Sequence, residues 1–216
     1  MSIFCTLTLS AESTQSVLAR LEKESGAFRQ VTAKLTKATH TAILDDTTTE
    51  SGRIWMRRAG KTVSVRTEIV EPEARAYSFE GDTGQVYYPK MNMVQIYDVG
   101  KSRSLVDQFV LLGFGTSGKD LAKNYTVNAV GEEAVAGRKT TRVELIPRSP
   151  KVKEQITKVE LWIPLDAGHP VQQKFYQPGG DYYLVTYSDV QLNSNLPDNA
   201  FRLKLPSDVK REYPQK

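Results

Sequence analysis

The residues of this chain that come nearest to a chemical motif lie in LLGFGTSGKDL (111–121), where Gly113, Gly115 and Gly118 precede Lys119. In one frame they spell G-x-x-x-x-G-K, a loop whose backbone N–H groups and lysine hold phosphates. In the other they spell G-x-G-x-x-G, the dinucleotide turn. Both chemistries need a buried parallel strand before the loop and a helix after it, within a βα alternation. The run before this loop reads instead as a helix. Asp120 also stands where the phosphate loop requires a hydroxyl for magnesium, and a carboxylate there repels phosphate. An acid in the first turn of a helix faces the positive end of its dipole, which accounts for Asp120 without any ligand. The glycines therefore read as turn residues between two helices, and no nucleotide is expected.

The remaining reactive side chains are few. One cysteine, Cys5, excludes an internal disulfide, and two histidines, His40 and His169, do not assemble a metal set of familiar spacing. His169 sits in DAGHP, where Gly168 and Pro170 mark a tight turn, and His40 lies in a threonine-rich strand. Neither has the surroundings of a catalytic base, so the sequence gives no support for an enzyme, a metal or a cofactor. The net charge of +4 is small and interspersed. A nucleic-acid binder would gather its basic residues on one element. The densest basic group, Arg53, Arg57, Arg58 and Lys61, alternates along a strand and reads as a solvated sheet face, so nucleic acid is not expected either.

The elements that would position these residues follow from periodicity. An amphipathic helix begins at Ser13 or Thr14, carries Val17, Leu18 and Leu21 on one stripe, and stops at Gly26. From Phe28 the apolar period becomes two. VTAKLTK sets Val31, Ala33 and Leu35 on one face; RIWMR sets Ile54 and Met56 together, and the alternation carries on to Arg58; TVSVRTEIV aligns Val63, Val65, Thr67 and Ile69. Turn signals at EPEA, EGDTG and YPKMN separate the segments of an antiparallel meander. The pattern changes at SLVDQFVLLGF, where Leu105, Phe109 and Leu112 form a helical stripe with Val106 and Val110 beside it. Ser117 is expected to cap a short second helix, after which six strand-like segments run to FRLKL. The fold class is mainly β with helices: a strongly curved antiparallel sheet, an incomplete barrel, covered by an α-helical lid. Such a shape either packs solid or encloses a ligand.

The first residues, MSIFCTLTLSA, are apolar from Ile3 to Leu9 and end in small residues. They are similar to the rear half of a secretory signal peptide cleaved near Ala11. Residues 1–11 are therefore expected to be a leader remnant and 12–216 a single exported, monomeric domain. No apolar run reaches the ~20 residues that a membrane-spanning helix needs.

Several segments, in order, resemble the LolA family of outer-membrane lipoprotein carriers. SGRIWMRRAGK (51–61) resembles its Gly-x-Leu-Trp-x-Lys-Arg-Pro signature, with Ala59 in place of the proline. GQVYYP, the ending LPDNAFRLKLPSDVK, and the first helix followed by SGAFRQ are similar to further family motifs. The resemblance implies a periplasmic carrier whose apolar cavity takes the acyl chains of lipoproteins. It would receive them from an inner-membrane release complex and pass them to an outer-membrane receptor. The same fold serves envelope sensors and receptor-side proteins that bind another lipid or a protein. The resemblance makes Arg58 a lid latch that bonds backbone groups of the lid. On its own, the alternation reads Arg58 equally well as a snorkelling arginine at a strand end. The implied lining is Ile54, Met56, Val63 and Val65, with Leu105, Val106, Phe109 and Leu112 beneath the lid; each also reads as ordinary core.

Overall fold

Alternation of apolar and polar residues every second position, interrupted by two capped helices, folds into one large sheet with helices on one face. The structure, a computed structural model, describes residues 12–60, 62–102 and 112–215. The first helix, α1 (Thr14–Ala27), is capped by Ser13, whose side chain accepts from the Ser16 N–H. Six strands follow in a meander: β1 (Gln30–Thr41), β2 (Asp46–Ala59), β3 (Thr62–Glu71), β4 (Arg75–Glu80), β5 (Thr83–Tyr88) and β6 (Met93–Asp98). After α2 (Gly118–Asn124) come β7 (Tyr125–Val135), β8 (Arg138–Pro147), the single turn α3 (Pro150–Lys153), β9 (Lys158–Pro164), β10 (Gln172–Tyr176) and β11 (Tyr182–Leu192). The last strand is the short β12 (Lys210–Glu212).

Among the described residues these strands form a single curved, open sheet of twelve, ordered β12-β6-β5-β4-β3-β2-β1-β11-β10-β9-β8-β7. The two meanders join through β1 and β11, which pair antiparallel from Val31–Leu192 to His40–Tyr182. The sheet departs from a pure meander at its edge, where β12 lies parallel to β6. A parallel edge needs a long connection, and here residues 193–209 supply it by crossing the convex face. Arg57 donates to the Leu196 carbonyl at 2.6 Å, Arg66 to Ala200 at 3.2 Å, and Ser78 Oγ to Phe201 at 2.6 Å. The Phe201 ring is buried, with the Arg57 guanidinium 4.9 Å from its centre. The basic group expected on a solvated face is thus divided: Arg57 binds this strap, and Arg58 points to the concave side.

The concave side carries two apolar clusters. In the first, Val17 and Leu21 of α1 and Leu121 of α2 pack with Leu112 and Tyr125 onto Val143, Leu145, Val159, Leu161 and Ile163. In the second, Phe28, Phe114, Val31, Ala33, Leu35, Met56, Val63, Ile69 and Tyr187 are buried together. Helices and the loop at 112–117 therefore seal the β7–β11 half and the adjoining end of β1–β3. Among the described residues, nothing covers the concave face of β4–β6. No described helix is long and apolar enough to cross a membrane.

Candidate functional site

Strand register decides which side chains meet on the concave face. Across β2 and β3, Ile54 lies opposite Thr67, Met56 opposite Val65, and Arg58 opposite Val63. Across β3 and β4, Val65 faces Phe79 and Thr67 faces Tyr77; across β4 and β5, Tyr77 faces Val86. The period of two places all of them on one surface. Two linked depressions run along it and share Tyr77. One, of about 260 Å³, is walled by Val65, Tyr77, Phe79, Val86, Tyr97 and Val99. The other, of about 240 Å³, is walled by Leu35, Ile54, Ile69, Tyr77, Val185 and Tyr187, with Lys37 and Glu50 at one end. Together they make a shallow apolar trough.

The residues expected to line a cavity fall into three groups. Ile54 and Val65 line the trough. Met56 and Val63 are buried with Phe28 and Phe114, and Leu112 lies in a turn within the first cluster, so these three are filled core. Leu105, Val106 and Phe109 lie outside the described residues. Tyr77, Phe79 and Val86 escaped the sequence reading. Their alternation in RAYSFE and TGQVYY was visible, but only the sheet order shows that they continue the face of Ile54 and Val65.

Arg58 occupies the closed end of this face. Its guanidinium donates to the Gly115 carbonyl at 2.7 Å, to the Phe28 carbonyl at 3.1 Å and to the Ser25 carbonyl, and lies 5.6 Å from the Phe28 ring centre. Burial, and after it the Arg29 charge, moves its pKa below the usual arginine value, with Asp120 opposing. A guanidinium nevertheless stays charged at any working pH. One cation therefore gathers carbonyls from the end of α1 and from the glycine loop, which helical capping would otherwise have to satisfy.

The glycine loop has no phosphate geometry. Gly113 and Gly115 adopt φ of +94° and +83°, and a Cβ on either would strike Gln173 Nε2 at 2.1 Å or the Phe28 ring at 2.3 Å. A Cβ on Gly118 would sit 2.0 Å from the Leu18 carbonyl oxygen. These glycines permit close packing of loop on helix and sheet. Buried Gln173 donates to the Leu112 carbonyl at 2.5 Å and accepts from the Tyr187 hydroxyl at 2.9 Å. Ser117 caps α2, accepting from the Asp120 N–H at 3.0 Å. The Lys119 N–H, at the helix start, donates to Glu22 at 3.1 Å, and the Lys119 ammonium lies 3.3 Å from the same carboxylate. A side chain of α1 thus fills the anion position that a nucleotide would need. No group of three potential metal ligands occurs among the described residues.

The family model of the MucB/RseB N-terminal domain matches residues 38–151, more than half of the chain. The chain belongs to that family. A search of curated protein sequences finds no match. Among solved structures, an uncharacterized conserved protein from Thermus thermophilus is similar at a TM-score of 0.58 and 13% identity, covering 94% of this chain and 99% of that one. MucB aligns at 0.53 and 16% identity, over 88% of this chain and 62% of MucB, so the chain spans less than two thirds of MucB. The Mycobacterium tuberculosis lipoprotein LppX aligns at 0.53 and 15% identity, over 85% of this chain and 98% of LppX. At these identities the likeness establishes the fold alone: a curved, open antiparallel sheet, an incomplete barrel, with helices on its concave side.

Proposed function

We propose that this chain is a non-catalytic periplasmic carrier that holds lipoprotein acyl chains in the trough between β1 and β6. The observation that carries the reading is the trough itself: an apolar depression lined by Leu35, Ile54, Val65 and Tyr77, on a sheet whose other half the described helices cover. Each acyl CH₂ gains about 0.8 kcal/mol on leaving water, so a lipid needs such a surface to cross an aqueous compartment. In this reading Arg58 is the latch that holds α1 and the glycine loop against the sheet. Ile54 and Val65 are contact residues, and residues 1–11 are removed on export. An inner-membrane release complex would load the cargo and an outer-membrane receptor would take it.

The deciding experiment is native mass spectrometry of the exported protein, purified without detergent. The expected result is a mature chain beginning near Glu12 with co-purifying acylated ligand. Val65→Trp, which fills the trough, should abolish that ligand without unfolding the chain. A chain that carries no lipid and ignores acylated peptide would overturn the reading.

A second reading is favoured by the family match: the same trough serves a binding module that senses an envelope protein or another lipid and passes nothing on. Transfer separates the two. A carrier releases a lipidated peptide to acceptor vesicles, whereas a sensing module retains it.

A further inference from the structure

The trough is apolar except at the end near the β1–β2 and β3–β4 turns. There Lys37 and Arg75 flank a single carboxylate, Glu50. Lys37 Nζ lies 3.3 Å from Glu50 Oε2, and the Arg75 guanidinium bonds Oε1. Strand register builds the cluster, because Lys37 lies opposite Glu50 across β1–β2 and Arg75 lies opposite Ile69 across β3–β4. The three side chains are withdrawn from water to different degrees: Glu50 is 12% exposed, Arg75 28% and Lys37 36%.

Two cations and one acid leave one positive charge in excess on an apolar wall. Isolated charge is costly to desolvate, so this excess calls for a counter-charge. Two further observations point the same way. Arg75 Nε is shut off from solvent and has no hydrogen-bond partner among the described residues. Burial, and then the Arg75 charge, lowers the pKa of Lys37, so its ammonium is under-compensated. The Tyr183 ring, 5.9 Å from that ammonium, offers a weak cation–π contact in place of an anion.

We propose that Lys37 and Arg75 form a head-group site for an anionic amphiphile. The tail of the ligand lies along Leu35, Ile54, Ile69 and Tyr77, and its acid group supplies the missing negative charge. The proposal rests on the acyl-binding reading and adds to it the chemical class of the head. A neutral ester would leave the excess charge unmatched; a free inorganic anion would lack the apolar contact.

The test compares oleate, methyl oleate and inorganic phosphate by titration calorimetry on the mature chain and on Lys37→Gln and Glu50→Gln, with melting temperatures as the folding control. Charge-assisted hydrogen bonds predict that oleate binds about tenfold or more tighter than its ester. Lys37→Gln should remove most of that advantage and leave the ester unchanged. Glu50→Gln removes the internal acid that competes with the ligand, so it should tighten oleate; a gain of affinity cannot come from misfolding. Equal binding of acid and ester overturns the head-group site and leaves acyl binding standing. Binding of neither overturns acyl binding as well. Phosphate alone binding as tightly as oleate would make this a free-anion site and overturn the proposal.

Discussion

Arg58 donates to the Gly115 carbonyl at 2.7 Å, while the Phe28 ring fills the space a Gly115 side chain would need. One strand, one helix end and one loop are thereby locked at a single point. Gly115 is required from two directions: its φ of +83° is unfavourable for other residues, and the ring leaves no room for a methyl group. Arg58 then reaches the loop only because the loop lies that close.

Glycine substitutions should separate packing from flexibility. Gly115→Ala and Gly113→Ala combine positive φ with Cβ contacts of 2.3 Å and 2.1 Å. Each should destabilise the fold by about 1–3 kcal/mol through strain and overpacking. Gly26→Ala is the control, since it lies within α1 and its Cβ would meet nothing within 4 Å. It should stabilise by about 0.4–1 kcal/mol. Chemical denaturation of the three variants measures the contrast, and similar effects at all three would refute it.

The nucleotide fingerprint should be silent. ATP, GTP and NAD at millimolar concentration should leave the melting temperature unchanged. Lys119→Ala breaks only an exposed pair with Glu22, which solvent screens, so the substitution should leave stability nearly unchanged. A nucleotide present at 100 times its dissociation constant would add about 2.7 kcal/mol. A saturable rise of that size, lost in Lys119→Ala, would restore the phosphate reading.

What sequence could show here was set by distance along the chain. Alternation within β2 and β3 is local, so the common face of Ile54, Met56, Val63, Val65, Thr67 and Ile69 was legible. So was the Ser117 cap of α2, which spans three residues. The strap was not: Arg57 and Arg66 find their carbonyl partners more than 130 residues away. In the sequence they read as ordinary charges on a strand. The close approaches that require Gly113 and Gly115 also come from distant partners, Gln173 and Phe28. Letters that resemble a phosphate loop therefore carried no sign of packing. The trough's head-group end likewise needs β1, β2 and β4 to be neighbours before Lys37, Glu50 and Arg75 meet.

Stability should depend on pH through His169. Its ring stacks on Phe114 with centres 5.7 Å apart. Burial, and after it the Arg138 charge, holds its pKa below the ordinary 6.5, against the pull of Asp166 and Glu24. The folded form thus binds the proton less readily than the unfolded chain. The contribution is fully present above the unfolded value and is lost as pH falls through the folded one. The carboxylates with lowered values, among them Glu22, Glu132 and Asp166, act by the same sign but only at more acid pH. Denaturation midpoints measured between pH 7 and 5 should therefore decline, and His169→Phe, which keeps a ring against Phe114, should flatten the decline. An unchanged slope in that variant would assign it to other groups.

The sharpest test of the latch is Arg58→Leu. The substitution removes the bonds to Ser25, Phe28 and Gly115 and adds apolar surface beside Phe28. Hydrogen bonds to a charged group are worth about 1.5–3 kcal/mol, so the closed arrangement of α1 and the glycine loop should lose about tenfold or more in population. The loop amides at 112–117 should exchange hydrogen faster, while those of β5 and β6, which contribute to neither cluster, should not change. Arg58→Lys keeps the charge but lacks the planar fork that spans several carbonyls, and should restore only part of the protection. Capture of lipidated peptide should be at least as good as in the parent, because the sheet face gains apolar area. Release to acceptor vesicles should be slower, because reclosure no longer competes with the bound chain. If capture and release are both unchanged while the protein only melts at a lower temperature, Arg58 is a structural clamp and the latch mechanism does not apply to this chain.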